Sequence, residues 1–218
     1  MKRSLINRFT ADKVAYLKQE FGNHVLSSLR RNQLNNIDFS IISNNCWGGY
    51  VYRRYGLGYS SLTVGLYFYA DDYIRFISNL RHYLSIPIKV ENAKTSKYYQ
   101  DLIYKGEGNI PVGHLEDIEI MFLHYKTLEE AETKWIRRCE RVNYDNLIIK
   151  MSEQNQCNEE HLSFFQRLDL PAKKILLTSV AYDGIDSVVV DKYSVPGNII
   201  NDTIYYDDFF CLEEFINK

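Results

Sequence analysis

Seven consecutive residues, Ser43, Asn44, Asn45, Cys46, Trp47, Gly48 and Gly49, combine a hydroxyl, two amides, a thiol and two glycines directly after an apolar run. A thiol at a strand-to-helix turn becomes a nucleophile when the helix dipole and nearby N–H groups lower its pKa. Cys46 is therefore the first candidate catalytic residue, and Ser43 is the rival. In an esterase-like arrangement Ser43 would attack while Asn side chains and glycine N–H groups hold the oxyanion. The Gly-Asp-Ser and Gly-x-Ser-x-Gly blocks of such enzymes are missing. The bland alternatives are a small buried cysteine and asparagines that shape the loop through bonds to nearby backbone. Gly48 and Gly49, opening a helix, offer N–H groups to a phosphate, but no dinucleotide fingerprint or P-loop lysine accompanies them.

Two more polar stretches close apolar runs. His124, Tyr125 and Lys126 follow residues 118–124, and His124 is the candidate base for Cys46 if the two strands are neighbours. Thr178 and Ser179 close the other, with Asp183 and Gly184 just after. Thr127 opens a helix with Glu130 three residues on, a capping-box pattern. On that helix Arg138 and Arg141 share a face near Trp135 and could grip an anionic group. The alternative is a solvated basic face paired with Glu129, Glu132 and Glu140. Asn143 sits in the polar loop that follows. Asp71 and Asp72 are the best adjacent carboxylates for a metal, and they read better as helix caps. The cysteines Cys46, Cys139, Cys157 and Cys211 form no Cys-x-x-Cys pair, and the histidines show no ligand spacing. No metal is predicted, and the thiols are expected to stay reduced in the cytoplasm.

The elements that must position these groups alternate. Strands are predicted over 39–43, 62–69, 86–90, 118–124, 146–151, 174–179 and 187–190. Helices are predicted over 50–55, 70–84, 159–168 and 207–217, besides the one opening at Thr127. Such alternation implies α/β, a three-layer sandwich with a mostly parallel central sheet, and ligands then gather at the carboxyl ends of the strands. Residues 1–35 form an N-terminal amphipathic helical segment, broken near Gly22 and Asn23, ahead of a single α/β domain over 36–218. The segment would pack on the domain or on a second subunit, giving a homo-oligomer. Its alternative is a peripheral contact with a membrane or a glycosyltransferase through residues 2–34. Residues 91–108 read as an exposed irregular excursion.

A chain of 218 residues with 45% hydrophobic and 25% charged residues is an ordinary globular protein. The net charge of −2 argues against general nucleic-acid binding. The 18 tyrosines suit a sugar or nucleotide pocket, or an interface. No stretch is long and apolar enough to span a bilayer, and the N-terminus lacks the apolar core of a signal peptide.

The stretches F-S-I-I-S-N-N-C-W-G-G-Y-V-Y, T-V-G-L-Y-F-Y-A-D-D-Y-I and F-L-H-Y-K-T-L-E-E-A-E-T-K-W-I-R-R-C-E-R-V-N-Y-D-N-L together resemble a bacterial family of unknown function. Its members are generally labelled exopolysaccharide or capsular polysaccharide biosynthesis proteins, and some are labelled acetyltransferases. The resemblance spans about residues 36–216. It implies a cytoplasmic enzyme acting on a sugar or lipid-linked polysaccharide precursor with acetyl-CoA as donor; a place at the inner face of the membrane would follow from the membrane alternative for residues 2–34. Transferred onto this chain, the matching positions are Ser43 through Gly49, His124, Tyr125, Lys126, Trp135, Arg138, Arg141 and Asn143. The Asn45-Cys46 pair is also similar to that of a capsule acetyltransferase family that binds coenzyme A. Glycosyl or glycerol-phosphate transfer, and a non-catalytic assembly role, are the alternatives.

Overall fold

A computed structural model describes residues 2–191 and 194–218 of the chain. In order the elements are α1 (Lys2–Arg31), β1 (Ser40–Ser43), α2 (Trp47–Arg54), α3 (Ala70–Ser78), α4 (Leu80–Ser85), β2 (Lys89–Asn92), α5 (Tyr99–Tyr104), β3 (Pro111–Leu115) and β4 (Ile118–Met121). Then follow α6 (Leu128–Cys139), β5 (Leu147–Ser152), α7 (Glu159–Arg167), β6 (Ala172–Thr178), β7 (Val188–Val189), β8 (Ser194–Val195), β9 (Asn198–Ile199), α8 (Asp202–Tyr205) and α9 (Leu212–Asn217).

The central sheet runs β1-β5-β6-β7 with every pair parallel. Both of its faces are covered, which is why β1 and the start of β5 read as unbroken apolar runs. Side chains alternate across the sheet. Ile42, Ile149 and Met151 join α3, α6 and α7 in the larger core. Ile41 and Ile148 face the other way, onto Trp47, Val51 and Tyr52 of α2 and onto Leu212 and Ile216 of α9. The α/β class and the mostly parallel sheet are thus as expected. A separate antiparallel sheet, β2-β3-β4, lies beside it.

Residues 62–69 do not form the expected strand: they run through turns and keep one bridge, Tyr67 to Met121. Gly65 has a φ of +75°, incompatible with a strand. The segment is instead tied across β1 by side chains, with Ser61 Oγ donating to Ile41 O at 2.7 Å and Thr63 Oγ1 accepting from Ser43 N at 3.1 Å. The predicted helix over 70–84 divides into α3 and α4 at Asn79. Asp71 and Asp72 cap nothing there. Asp71 pairs with Arg75, while buried Asp72 binds Lys97 and the N–H of Glu119. The predicted break at Gly22 and Asn23 is absent, because α1 runs unbroken to Arg31. The excursion over 91–108 contains α5. The helix expected over 207–217 is shorter, spanning α9 alone, with a 3-10 turn over Tyr206–Asp208 before it. At α6 the expected cap forms: Thr127 Oγ1 accepts from Glu130 N at 3.1 Å, while Glu130 reaches back to the N–H of Lys126.

Candidate functional site

Strand β1 delivers its polar terminus into the protein rather than to solvent. Ser43 is fully buried, its hydroxyl donating to Asn45 O at 2.6 Å and lying 3.0 Å from Thr63 Oγ1. Asn44, also buried, pairs with the backbone of Ser152 at both ends, donating to its carbonyl at 2.7 Å and accepting from its N–H at 2.9 Å. This amide extends the β1–β5 ladder by one rung. Asn45 Oδ1 accepts from Trp47 N at 3.1 Å, an Asx turn that starts α2. Trp47 is buried in the core. Gly48 is a packing glycine, since a Cβ there would lie 2.6 Å from Ser61 Oγ and 3.1 Å from Ile41 Cγ2. At Gly49 a Cβ would meet Val64 at 3.2 Å.

Beneath this turn lies a buried ion pair, Lys150 with Asp202. Asp202 also accepts from Ser152 Oγ at 2.5 Å and Asn45 Nδ2 at 2.9 Å, and Lys150 Nζ also donates to Asn45 Oδ1 at 3.2 Å. Burial opposes the carboxylate charge, but Lys150, Ser152 and Asn45 outweigh it and hold Asp202 below the usual carboxylate range. Burial likewise pushes Lys150 down, against the pull of Asp202. The pair joins the sheet to α8 and fixes Asn45.

Cys46 lies at the N-terminus of α2. Burial, followed by the charge of Asp202, pushes its thiol up to about 11, outweighing Lys150. That is opposite to the direction expected of a nucleophile at a helix start, because desolvation exceeds the dipole. His124 is exposed beside Gly65, and the cleft at Cys46 is lined by Leu123 rather than by His124. Tyr125 is buried, its hydroxyl donating to Val64 O at 2.6 Å. Arg138, also buried, donates to Val64 O at 2.7 Å and to the Tyr125 hydroxyl. Trp135 packs in the core. Arg141 and Lys126 are exposed. Asn143 caps a loop through its N–H to Ser40 Oγ and its Nδ2 to Asp38 O. Arg138 and Arg141 therefore do not converge on a shared anion site, and the cluster of Tyr125, Arg138 and Val64 serves packing.

Open space lies at the carboxyl ends of β1 and β5, where ligands of parallel sheets collect. A cleft of about 290 Å³ is lined by Asn45, Cys46, Tyr67, Lys105, Glu107, Gln154, Asn155 and Asp202, among others. It adjoins a second, of about 390 Å³, that shares Lys105, Gln154 and Asn155 and adds Asp101 and Gln156. Tyr67 Oη donates to Glu107 at 2.6 Å and Tyr69 Oη to Asp101 at 2.5 Å. Burial and the neighbouring carboxylates raise both phenols, so they stay protonated donors. Lys105 binds Asp101 at 2.7 Å and lies over the ring of Tyr69 at 4.6 Å. The loop after β5 is the unusual part. Asn155 and Gln156 have φ of +53° and +63°, a left-handed conformation that asparagine adopts readily but that costs a residue such as Gln156 about 1–2 kcal/mol. Gln154 Nε2 is shielded from solvent and has no hydrogen-bond partner among the described residues. Orphaned donors are uncommon in native folds; Trp47 Nε1 and Tyr55 Oη are others among the described residues, but of the three residues only Gln154 lines these clefts.

Residues 17–216 match a family described as Domain of unknown function (DUF1919). The chain belongs to this family. It is also 30% identical over 192 residues to an uncharacterized protein of Haemophilus influenzae, covering 84% of this chain and 86% of that one. The family match covers β1, the 153–156 loop and Asp202, so both walls of the cleft belong to the family domain.

Lys150, Gln154, Asn155 and Asp202 are absent from the sequence-based candidates. Lys150 carries a signal all the same, being a charge inside the buried strand L-I-I-K-M-S. Asp202 carries no local signal, because its partner is 52 residues away. Among the described residues no cluster of His, Cys, Asp or Glu could hold a metal ion, and no helix is long and apolar enough to cross a membrane.

Proposed function

We propose that this protein binds a saccharide precursor of a surface polysaccharide in the cleft between residues 45–46 and 153–156, and transfers an acyl group to one of its hydroxyls. The observation that carries the proposal is Gln154, which lines a cleft together with Asn155, Glu107, Lys105 and Tyr67 and holds an unpartnered Nε2 that a turn of its side chain would present there. A sugar presents hydroxyls that both donate and accept, together with C–H faces that suit an aromatic wall. Amides, carboxylates and phenols match that inventory. The cation of the cleft, Lys105, is already committed to Asp101, so the surroundings suit a neutral polyol better than a bare phosphate. The resemblance of the S-N-N-C-W-G-G stretch to proteins labelled for polysaccharide biosynthesis supplies the pathway and the acyl chemistry.

In this proposal the acceptor hydroxyl lies against Glu107, whose carboxylate takes its proton as the C–O bond to the acyl carbonyl forms. The C–S bond of the acetyl-CoA thioester breaks as the tetrahedral intermediate collapses, and coenzyme A leaves as the thiol with the proton that Glu107 accepted. Cys46 lines the acyl position as a neutral thiol. Thermal-shift titration with nucleotide sugars, coenzyme A and acetyl-CoA is the test. A nucleotide sugar is expected to raise the melting temperature of the wild type but not of Gln154→Leu. Stabilisation of both proteins alike would remove the cleft from the account. Unchanged O-acetyl content of the surface polysaccharide in cells carrying Glu107→Gln would remove the acyl step.

A further inference from the structure

Helix α1 is mounted inside out. A surface helix ordinarily turns its apolar stripe to the core and its polar face to water. Here the polar side faces the body of the protein. Asp12 accepts from Asn201 Nδ2 at 2.8 Å and from Tyr205 Oη at 2.7 Å. Gln19 Nε2 donates to Thr203 O at 3.2 Å, Glu20 pairs with Arg53 at 3.2 Å, and Arg31 donates to Gly56 O at 3.2 Å. The outward side carries Val14, Leu17, Phe21, Val25 and Leu29, with Phe21 71% and Leu29 64% exposed. Spaced three and four apart, they form one stripe about 22 Å long at 1.5 Å per residue. Single exposed apolar residues need no explanation, but a contiguous stripe does.

The charges beside the stripe say what covers it. The charged side chains on the exposed side over residues 12–29 are Lys13 and Lys18, and both acids of this stretch, Asp12 and Glu20, are engaged inward. Upstream, residues 2–11 hold Lys2, Arg3 and Arg8 and no acid. Helices that pair with one another across an apolar seam flank it with opposite charges. Two copies meeting through this stripe would instead bring lysines to a seam with no acid to answer them. An apolar stripe bordered by cations alone is the pattern of a helix lying in a membrane interface.

We propose that α1 docks this protein on an anionic lipid bilayer, with Val14, Leu17, Phe21, Val25 and Leu29 entering the headgroup boundary and Lys13 and Lys18 meeting lipid phosphates. This stands independently of what the cleft binds. The test is sedimentation of the full chain with vesicles of phosphatidylcholine alone and of phosphatidylcholine with phosphatidylglycerol. Binding is expected to the second and not to the first, and to fall as salt is raised. Neutralising both lysines, Lys13→Gln with Lys18→Gln, should weaken binding about thirty-fold, each being worth roughly one factor of five to six at such a surface. Leu17→Asp with Phe21→Asp should abolish it. Circular dichroism confirms that the variants fold, and the lysine pair, being exposed, tests the proposal even where the apolar pair unfolds the protein. Equal binding to both vesicles, or none to either, overturns the proposal. A dimer in light scattering that Phe21→Asp disperses would do so too, and would assign the stripe to a second copy.

Discussion

Two neighbouring strands of one sheet end very differently. Strand β1 ends in a serine, followed by two asparagines and a cysteine, and nearly every polar atom of these four side chains has a partner inside the protein. After β5 comes Glu-Gln-Asn-Gln, in which Glu153 is buried and bound to Ser179 and Tyr182, but the Gln154 amide is left over and two residues are held left-handed. Polar residues at a strand end are therefore not evidence of a ligand site in themselves. What distinguishes a site is polar capacity that the fold does not consume, beside open space. Trp47 Nε1 is left over in the S-N-N-C-W-G-G stretch as well, but Trp47 is fully buried in the core and lines neither cleft, whereas Gln154 lines both. The first stretch is the frame, and the 153–156 loop edges the open space.

The contrast can be broken first at the ion pair. Asp202→Ala strands a buried ammonium and Lys150→Ala a buried carboxylate, and either should cost about 3–5 kcal/mol of stability, read by urea denaturation. A loss under 1 kcal/mol would mean that the frame does not depend on the pair. Next is the state of Cys46. With its thiol raised to about 11 from 9.0, alkylation at pH 8 should run about a hundred-fold slower than for an unperturbed thiol. Because folding suppresses ionisation of this thiol, its contribution to stability is intact below pH 9 and declines as pH rises toward 11. Iodoacetamide mapping by mass spectrometry should label exposed Cys211 while Cys46 stays free, and rapid labelling of Cys46 would restore it as a nucleophile. Gly48→Ala should cost about 1–3 kcal/mol, as overpacking does, because its Cβ meets Ser61 and Ile41. The smallest effect is expected at the loop: Gln156→Gly relieves a left-handed side chain and should gain about 0.5 kcal/mol, the strain released less the added chain entropy.

The fold was legible where residue pattern and burial coincide. The apolar runs at 39–43 and 146–151 are β1 and β5, because a strand covered on both faces has little room for polar residues. Residues 62–69 misled for the same reason. T-V-G-L-Y-F-Y is apolar enough for a strand, yet Gly65 turns left-handed and Ser61 and Thr63 tie the segment sideways onto β1. The site was legible only as a location, the carboxyl edge of the sheet. Its chemistry depends on contacts distant in sequence: Lys105 reaches Asn155 at 3.3 Å across 50 residues. Nothing in the neighbourhood of either residue announces that meeting. Likewise α1 reads as amphipathic from its sequence, but the direction in which its apolar face points is decided by Asp12, Gln19 and Glu20 finding partners on the domain.

The proposed binding of a saccharide in the cleft depends on Gln154, whose Nε2 donor the fold leaves unused. Isothermal titration of the wild type and of Gln154→Leu, with the nucleotide sugar that most stabilises the wild type, tests it directly. Loss of one hydrogen bond should weaken binding about tenfold while the leucine variant melts no lower than the wild type, since no internal partner is lost. Equal affinity in the two proteins would contradict the account.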